Sequence, residues 1–276
     1  MLADLHTHSS ASDGVLSPTE LVQLAKTEGL AAIAITDHDT ISGLAAGIEA
    51  GRQLGISVIP GIELSTQLGD REIHILGYLL DYRDETFLST LQIYTSARKS
   101  RGKKIIEKLK KLGIDLEWEE ILHKAGEGSV GRLHIARALM EQGYVDSIEE
   151  AFHKYLNPGT PAFVPRLKLE PREAINLIKS VHGIPVLAHP GLLNSAKLIE
   201  ELISLGLMGL EVYYPLHGPQ EVEYFAALCK VRGLIATGGS DFHGIGSDNR
   251  KRIGLASVNY EVIEQLKNLK EKIYFH

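Results

Sequence analysis

Short apolar runs alternate with helix-period segments along most of this 276-residue chain, and that rhythm limits the fold more than any other feature. "MLADL", "AAIAIT", "SVIPGIELS" and "EIHILGYLL" read as strands. After an interruption, "IPVLAHP", "LMGLEVYY", "LIATGGSDFHG" and a final "IGLASV" continue the series. Helix patterns lie between them. The first, "SPTELVQLAKTEG", carries its own punctuation: Ser17 as N-cap, Pro18 at the first helical position, Glu20 three residues on and Gly29 past the end. Others are "ISGLAAGIEAGRQLG", "PREAINLIKSVHG", "SAKLIEELISLG", "GPQEVEYFAALCKVRG" and the closing "YEVIEQLKNLKEK". Repeated strand–helix units predict an α/β fold of parallel strands joined by crossover helices. Six or seven such units close into a barrel, whose chemistry collects at the C-terminal ends of the strands.

Residues 99–165 break the rhythm. "RKSRGKKIIEKLKKLG", "EWEEILHKAG" and "SVGRLHIARALMEQG" are helical in period, with no clear strand. They predict an inserted helical subdomain over residues 99–165, between barrel segments 1–98 and 166–276. Segments above a barrel mouth commonly carry substrate contacts, so the insertion reads as a cap.

Composition excludes several classes of function. The formal net charge is −6, which argues against a protein that holds long duplex nucleic acid through many phosphates. Small phosphorylated ligands need only a local basic patch. No apolar run approaches the roughly 20 residues of a membrane helix, and no secretory pattern opens the chain. The single cysteine, Cys229, reads as a core residue and cannot form an internal disulfide. The expected setting is cytoplasmic and reducing.

The informative residues fall at the predicted strand ends. "DLHTH" delivers His6 and His8, with Asp13 in the turn behind them. "TDHDT" delivers Asp37, His38 and Asp39, and "GIELS" delivers Glu63. "EIHILGY" carries His74, "LAHPG" His189, "LEVYY" Glu211, and "GGSDFHG" Asp241 and His243. With 12 histidines in the chain, chance alone yields on the order of half an H-x-H, so that pattern by itself is weak. The joint placement is not weak. Buried together without cations, these carboxylates would repel one another and be poorly solvated. Divalent metals remove that difficulty, and mixed histidine and carboxylate ligands suit zinc, manganese or iron better than calcium. Residues i and i+2 of a strand share a side, so His6 and His8 can grip one ion, as can Asp241 and His243.

These motifs, "DLHTHSSASDG", "TDHD", "GIELS", "HILGY", "AHP" and "GGSDFHG", resemble in order those of the PHP (polymerase and histidinol phosphatase) family. The resemblance implies a distorted seven-stranded barrel with a trinuclear metal centre. In it, His6, His8, Glu63 and Asp241 would hold one ion, and Glu63 would bridge to a second held by His74 and His189. Asp13, His38 and His243 would hold the third. Some relatives carry histidine where this chain has Asp13, and an acid there favours manganese over zinc or iron(II). The insertion, with "GRLHIARAL", and "LEVYYPLHGPQE" are similar to PHP phosphoesterases acting on nucleoside 3',5'-bisphosphates, whose relatives include the 5'-trimming RNase AM. That likeness implies hydrolysis of the 3'-phosphate of a small nucleotide such as pAp. It extends through the same site to 5'→3' exonuclease action on short 5'-phosphorylated, single-stranded RNA.

In that subgroup an arginine and a histidine of the insertion contact phosphate, here Arg132 and His134. A glycine-rich approach to a helix capped by Ser129 suits an anion independently, and an arginine binds phosphate bidentately. His217 is a further expected phosphate contact. Asp37, Asp39 and Glu211 are expected to orient the ligands from behind. His123, His153, His182 and His276 read as surface groups, and "RKSRGKKIIEKLKK" as a solvated basic face, with guidance of an oligonucleotide's backbone as the alternative. Rival readings are a histidinol-phosphate phosphatase of the same fold and a non-catalytic PHP module. No Ser-His-Asp triad, P-loop or reactive cysteine motif supports another phosphate chemistry.

Overall fold

The first helix begins where its spacing predicts. Ser17 Oγ accepts from the Glu20 N–H at 3.3 Å, and the Glu20 carboxylate accepts from the Ser17 N–H at 2.8 Å. This reciprocal cap fixes α1 at Pro18–Thr27, between β1 (Leu2–Thr7) and β2 (Ala32–Ile35). The computed structural model describes residues 1–125, 131–165, 167–244 and 252–275. Ser129 and His276 lie outside the described residues, as does the side chain of His123.

After β2 come α2 (Leu44–Leu54), β3 (Ser57–Leu68), β4 (Arg71–Tyr78) and the long α3 (Glu85–Lys111). Three shorter helices follow: α4 (Trp118–Ala125), α5 (Arg132–Glu141) and α6 (Ile148–Ala151), the last running into a π-turn at Phe152–Leu156. The barrel resumes with α7 (Pro171–Ser180), β5 (Ile184–Leu187), α8 (Ala196–Ser204), β6 (Gly209–Tyr213), α9 (Pro219–Arg232) and β7 (Ile235–Gly238). It ends with β8 (Val258–Asn259) and α10 (Glu261–Tyr274).

The eight strands form one sheet in the order β7-β6-β5-β4-β3-β2-β1-β8, curled until β7 meets β1. At that seam the Asp241 N–H donates to His6 O, and the His8 N–H to Phe242 O, each at 2.9 Å. The barrel is therefore nearly closed.

Two strands depart from the expected parallel rhythm. β4 runs antiparallel to both β3 and β5. The link from β3 to β4 is only Gly69-Asp70, with Gly69 at φ +60°, and so short a link can form only a hairpin. The rim of the barrel is consequently the N-terminal half of β4, which is how His74, within the strand, reaches the other strand ends. The strand expected at "IGLASV" shrinks to the two residues of β8, antiparallel to β1.

Three hydrophobic clusters sort the chain. The largest packs the outer helices on the barrel, with Leu21, Ile33, Ile35, Phe87, Ile175 and Phe225 among its members, and it holds Cys229 as expected. A second draws Leu5, Ala34, Ile59, Leu76, Val186 and Ile235 from strands all round the ring, so it fills the interior, with Ile263 and Leu266 of α10 beneath. The third lies wholly within 105–162 and joins Ile105, Leu109, Ile121, Ile135, Leu139 and Leu156. The inserted helices thus have their own core. Helix α3 spans the expected boundary at 98/99: Phe87 and Leu91 belong to the barrel core, Ile105 and Leu109 to the inserted one. His153 and His182 are exposed, as expected.

Candidate metal centre

The strand ends deliver their histidines and acids into one buried basin. β1 has a register irregularity between Asp4 and Thr7, and His6 within it and His8 just past it both turn into the site. His6 Nε2 lies 3.3 Å from Glu63 Oε2 and 3.5 Å from Asp241 Oδ1. His8 Nε2 lies 3.2 Å from each of the same two oxygens. His74 Nδ1 stands 2.8 Å from Glu63 Oε1, with His189 Nε2 at 3.3 Å from that oxygen. On the other side His243 Nε2 is 3.2 Å from Asp13 Oδ1, and His38 bridges, with Nδ1 3.1 Å from Glu63 and Nε2 3.8 Å from Asp13.

Among the described residues, three overlapping groups have ligand atoms within 4.8 Å of one another: His6, His8, Glu63 and Asp241; His8, Asp13, His38 and His243; and His38, Glu63 and His74. The first coincides with the set inferred from the motifs. The second adds His8 to the expected set. The third has His38 where His189 was expected, although His189 touches the same Glu63 oxygen.

The polar balance of the basin tests whether cations fit it. His6, His8 and Glu63 are at most 1% exposed, yet His6 Nε2, both ring nitrogens of His8 and Glu63 Oε2 make only ion contacts, at 3.1–3.8 Å, and no well-aligned hydrogen bond. All four atoms belong to residues of the ligand groups. Burial opposes charge on His6, but Glu211, Glu63 and Asp241 outweigh it and hold its pKa well above the usual imidazole range. Burial likewise opposes charge on Glu63, and His38, His74 and His6 hold its carboxyl well below the usual range. For His38 burial prevails and pushes the pKa well down, despite Glu63 and Asp13. So dense a set of donors, partly unsatisfied and mutually dependent for its charge, fits divalent cations.

The backbone is bent to make the basin. Asp39, His189 and Asp241 have φ of 55°, 30° and 52°, in the left-handed region that side chains avoid. Glycine permits the closest approach, because a Cβ on Gly239 would stand 2.3 Å from His6 Cβ. Behind the ligands, Glu211 Oε1 lies 2.9 Å from His6 Nδ1 while its Oε2 accepts the His189 N–H at 2.7 Å. Asp39 Oδ1 accepts the Ser65 N–H at 2.8 Å, and its Oδ2 takes Arg98 Nη1 at 2.7 Å. Asp37 instead organises the β1–α1 loop, accepting the Ser9 N–H, Ser9 Oγ and Ser12 Oγ at 2.8, 2.7 and 2.6 Å.

A cleft of about 220 Å³ opens beside the basin, lined by Asp13, His38 and His74 of the basin and by Arg98, Arg101 and Arg132. Arg132 lines this cleft. His134 is buried and does not line the cleft; its Nδ1 accepts the Gly131 N–H at 3.1 Å, which braces the turn before Arg132. His217 departs from its expected role. Its Nδ1 donates to Val212 O at 2.9 Å and its Nε2 accepts the Gly191 N–H at 3.1 Å, so both nitrogens are spent on holding the loop after His189.

Four residues escaped the sequence reading. Arg98 and Arg101 belong to the stretch taken as a solvated face, yet their i, i+3 spacing puts both on one side of α3, over the cleft. Glu72 shares a strand face with His74, its Oε1 3.2 Å from His74 Nε2. Tyr214 donates its hydroxyl to Asp241 Oδ2 at 3.1 Å.

Comparison with known proteins gives the same outline. The PHP domain family model matches residues 4–182. The 5'-3' exoribonuclease Rnm of Salmonella typhimurium is 38% identical over 250 residues, covering 88% of this chain and 85% of that protein. The 3',5'-nucleoside bisphosphate phosphatase of Chromobacterium violaceum is 33% identical over 253 residues, covering 90% and 89%. A solved structure of an amidohydrolase from the same organism, with bound sulfate and no metal, superposes with a TM-score of 0.85 at 30% identity, over 96% of each chain.

Proposed function

The chain belongs to the PHP domain family of metal-dependent phosphoesterases, and on that premise we propose that it removes the 3'-phosphate of nucleoside 3',5'-bisphosphates. One observation carries the reading: a single cleft is lined both by residues of a buried histidine–carboxylate basin and by three arginines. That arrangement suits a substrate with two phosphates, one for the basin and one for the arginines.

His6, His8, Glu63 and Asp241 would hold one divalent ion, Glu63 with His74 and His189 a second, and Asp13, His38 and His243 the third. Manganese is our assignment, ahead of zinc or iron(II), on the acid Asp13 where some relatives carry histidine. Bound ions supply Lewis acidity toward water and toward the phosphoryl oxygens at neutral pH. The protein's part is positional. Glu211 sets the His6 ring and the His189 backbone, Tyr214 braces Asp241, and Asp39 fixes Ser65 and Arg98. Arg98, Arg101 and Arg132 would bind the substrate's 5'-phosphate, and the helical segment 99–165 would serve as the substrate-binding cap.

A second reading, 5'→3' exonuclease action through the same site, has its own support. A further pocket of about 250 Å³ adjoins the cleft, shares Arg101 and Arg132 with it and runs past Gln67, Asn157 and Phe163. That extension gives room for a longer chain than a mononucleotide. Among the described residues no helix is long and apolar enough to cross a membrane.

The test is a substrate panel with purified protein and Mn2+: adenosine 3',5'-bisphosphate, histidinol phosphate and a short 5'-phosphorylated oligoribonucleotide. Release of the 3'-phosphate with AMP left behind is expected, together with 5'-end trimming of the RNA. Preference for histidinol phosphate would replace this reading, and no turnover of any of the three would favour a non-catalytic module.

A further inference from the structure

We infer that Glu72 is a positioning residue that ties the cap's Arg132 to His74 of the metal basin. The β3–β4 hairpin sets this up. Its register pairs Ser65 with His74 and Gln67 with Glu72, so Glu72 lies on the face of His74, two residues or roughly 6.6 Å further from the barrel. The Glu72 carboxylate meets a different element with each oxygen. Oε1 is 3.2 Å from His74 Nε2, and Oε2 is 3.0 Å from Arg132 Nη2.

Each contact has a consequence at its far end. His74 stands between two carboxylates, with Nδ1 2.8 Å from Glu63 and Nε2 on Glu72. An outer carboxylate that takes Nε2–H leaves the Nδ1 lone pair toward the basin, the arrangement in which imidazole serves as a ligand. Arg132 is held from the cap by Leu156 O at 3.4 Å and by the Phe152 ring, 5.4 Å from its Cζ. Glu72 supplies its hold from the barrel. A guanidinium has five N–H donors, so Arg132 keeps both contacts and retains donors for an anion in the cleft. Docking of the cap arginine and orientation of the basin histidine therefore share one side chain. Glu72 is 44% exposed there, so its replacement removes the tie with little loss of packing.

The arginine arm of this inference rests on the bisphosphate reading; the histidine arm does not. The test measures Mn2+ binding directly, from the electron paramagnetic resonance signal of free Mn2+, and KM for adenosine 3',5'-bisphosphate and for 3'-AMP. Glu72→Ala should move the Mn2+ midpoint upward by about 10-fold or more, as loss of an outer-shell partner does. It should raise KM for the bisphosphate but not for 3'-AMP. In Glu72→Ala/Arg132→Ala the KM effects should fall well short of additive, while the Mn2+ shift persists. Glu72→Gln, with one acceptor oxygen for two donors, should lie between wild type and alanine. An unchanged Mn2+ midpoint in Glu72→Ala, or additive KM effects in the double variant, overturns the tie. If Arg132→Ala alone leaves KM for the bisphosphate unchanged, the substrate reading falls instead, and the Mn2+ midpoint still decides the tie to His74.

Discussion

Glu211 and His6 meet at 2.9 Å, Oε1 to Nδ1, with neither side chain exposed. The second Glu211 oxygen accepts the backbone N–H of His189, so one buried carboxylate, itself on β6, fixes parts of the ends of β1 and β5. Glu211→Ala should weaken Mn2+ binding by roughly 10- to 100-fold. It should also cost about 1–3 kcal/mol of stability, because the His189 N–H loses its partner. Equilibrium Mn2+ titration and urea unfolding check the two effects separately. An unchanged midpoint in both would mean that Glu211 orients nothing.

Gly239 is where β7 comes up against β1. An added Cβ would meet His6 Cβ at 2.3 Å and the His6 nitrogen at 2.4 Å, both on backbone or on a ligand's root rather than on a flexible tip. Gly239→Ala should lower stability by about 1–3 kcal/mol through overpacking. It should also lose Mn2+ affinity, since the only way to make room is to move His6. Thermal unfolding with and without Mn2+ reads both, and normal Mn2+ affinity in a folded variant would contradict the close approach.

His134 makes a pH prediction. Burial pushes its pKa down from 6.5 to about 4, against the pull of Asp13 and with the help of Arg137 and Arg98. The fold favours the neutral ring, so this stabilising contribution is full above pH 6.5 and is lost as pH falls toward 4. The shift corresponds to about 3 kcal/mol. In chelator-treated protein, His134→Gln should be less stable than wild type at pH 7, yet lose less stability on going to pH 4. Parallel stability curves for the two proteins would refute it.

Arg101 lines both the cleft and the pocket beside it, and its Nε donates to Val164 O at 2.7 Å. Arg101→Ala should raise KM for a nucleoside 3',5'-bisphosphate roughly 10- to 100-fold, the range for a charge-assisted contact. It should spare 3'-AMP. Equal effects on the two substrates would place Arg101 outside the second phosphate's site.

Much of this architecture could be read from the chain before any coordinates, for physical reasons that vary by element. The helix starts were legible because capping is local: Ser17, Pro18 and Glu20 announce α1 whatever surrounds them. The ligand candidates were legible because strand ends are where a barrel gathers its chemistry. The reversal of β4 escaped because apolar alternation carries no direction; only the two-residue Gly69-Asp70 link encodes it. Arg98 and Arg101 escaped because composition cannot tell a basic face turned to water from one turned to a cleft. Glu72 sat in plain view two residues before His74, but its partner Arg132 is 60 residues away in sequence. His217 shows the opposite failure: a polar residue beside the site can be fully engaged by backbone.

The most direct test is a Mn2+ titration of chelator-treated protein that follows inorganic phosphate release from adenosine 3',5'-bisphosphate and counts bound ions in the same samples. The account predicts no turnover without metal, and activity that rises with ion occupancy and is abolished in Glu63→Ala. Phosphate release from metal-free protein, or full activity in Glu63→Ala, would contradict it.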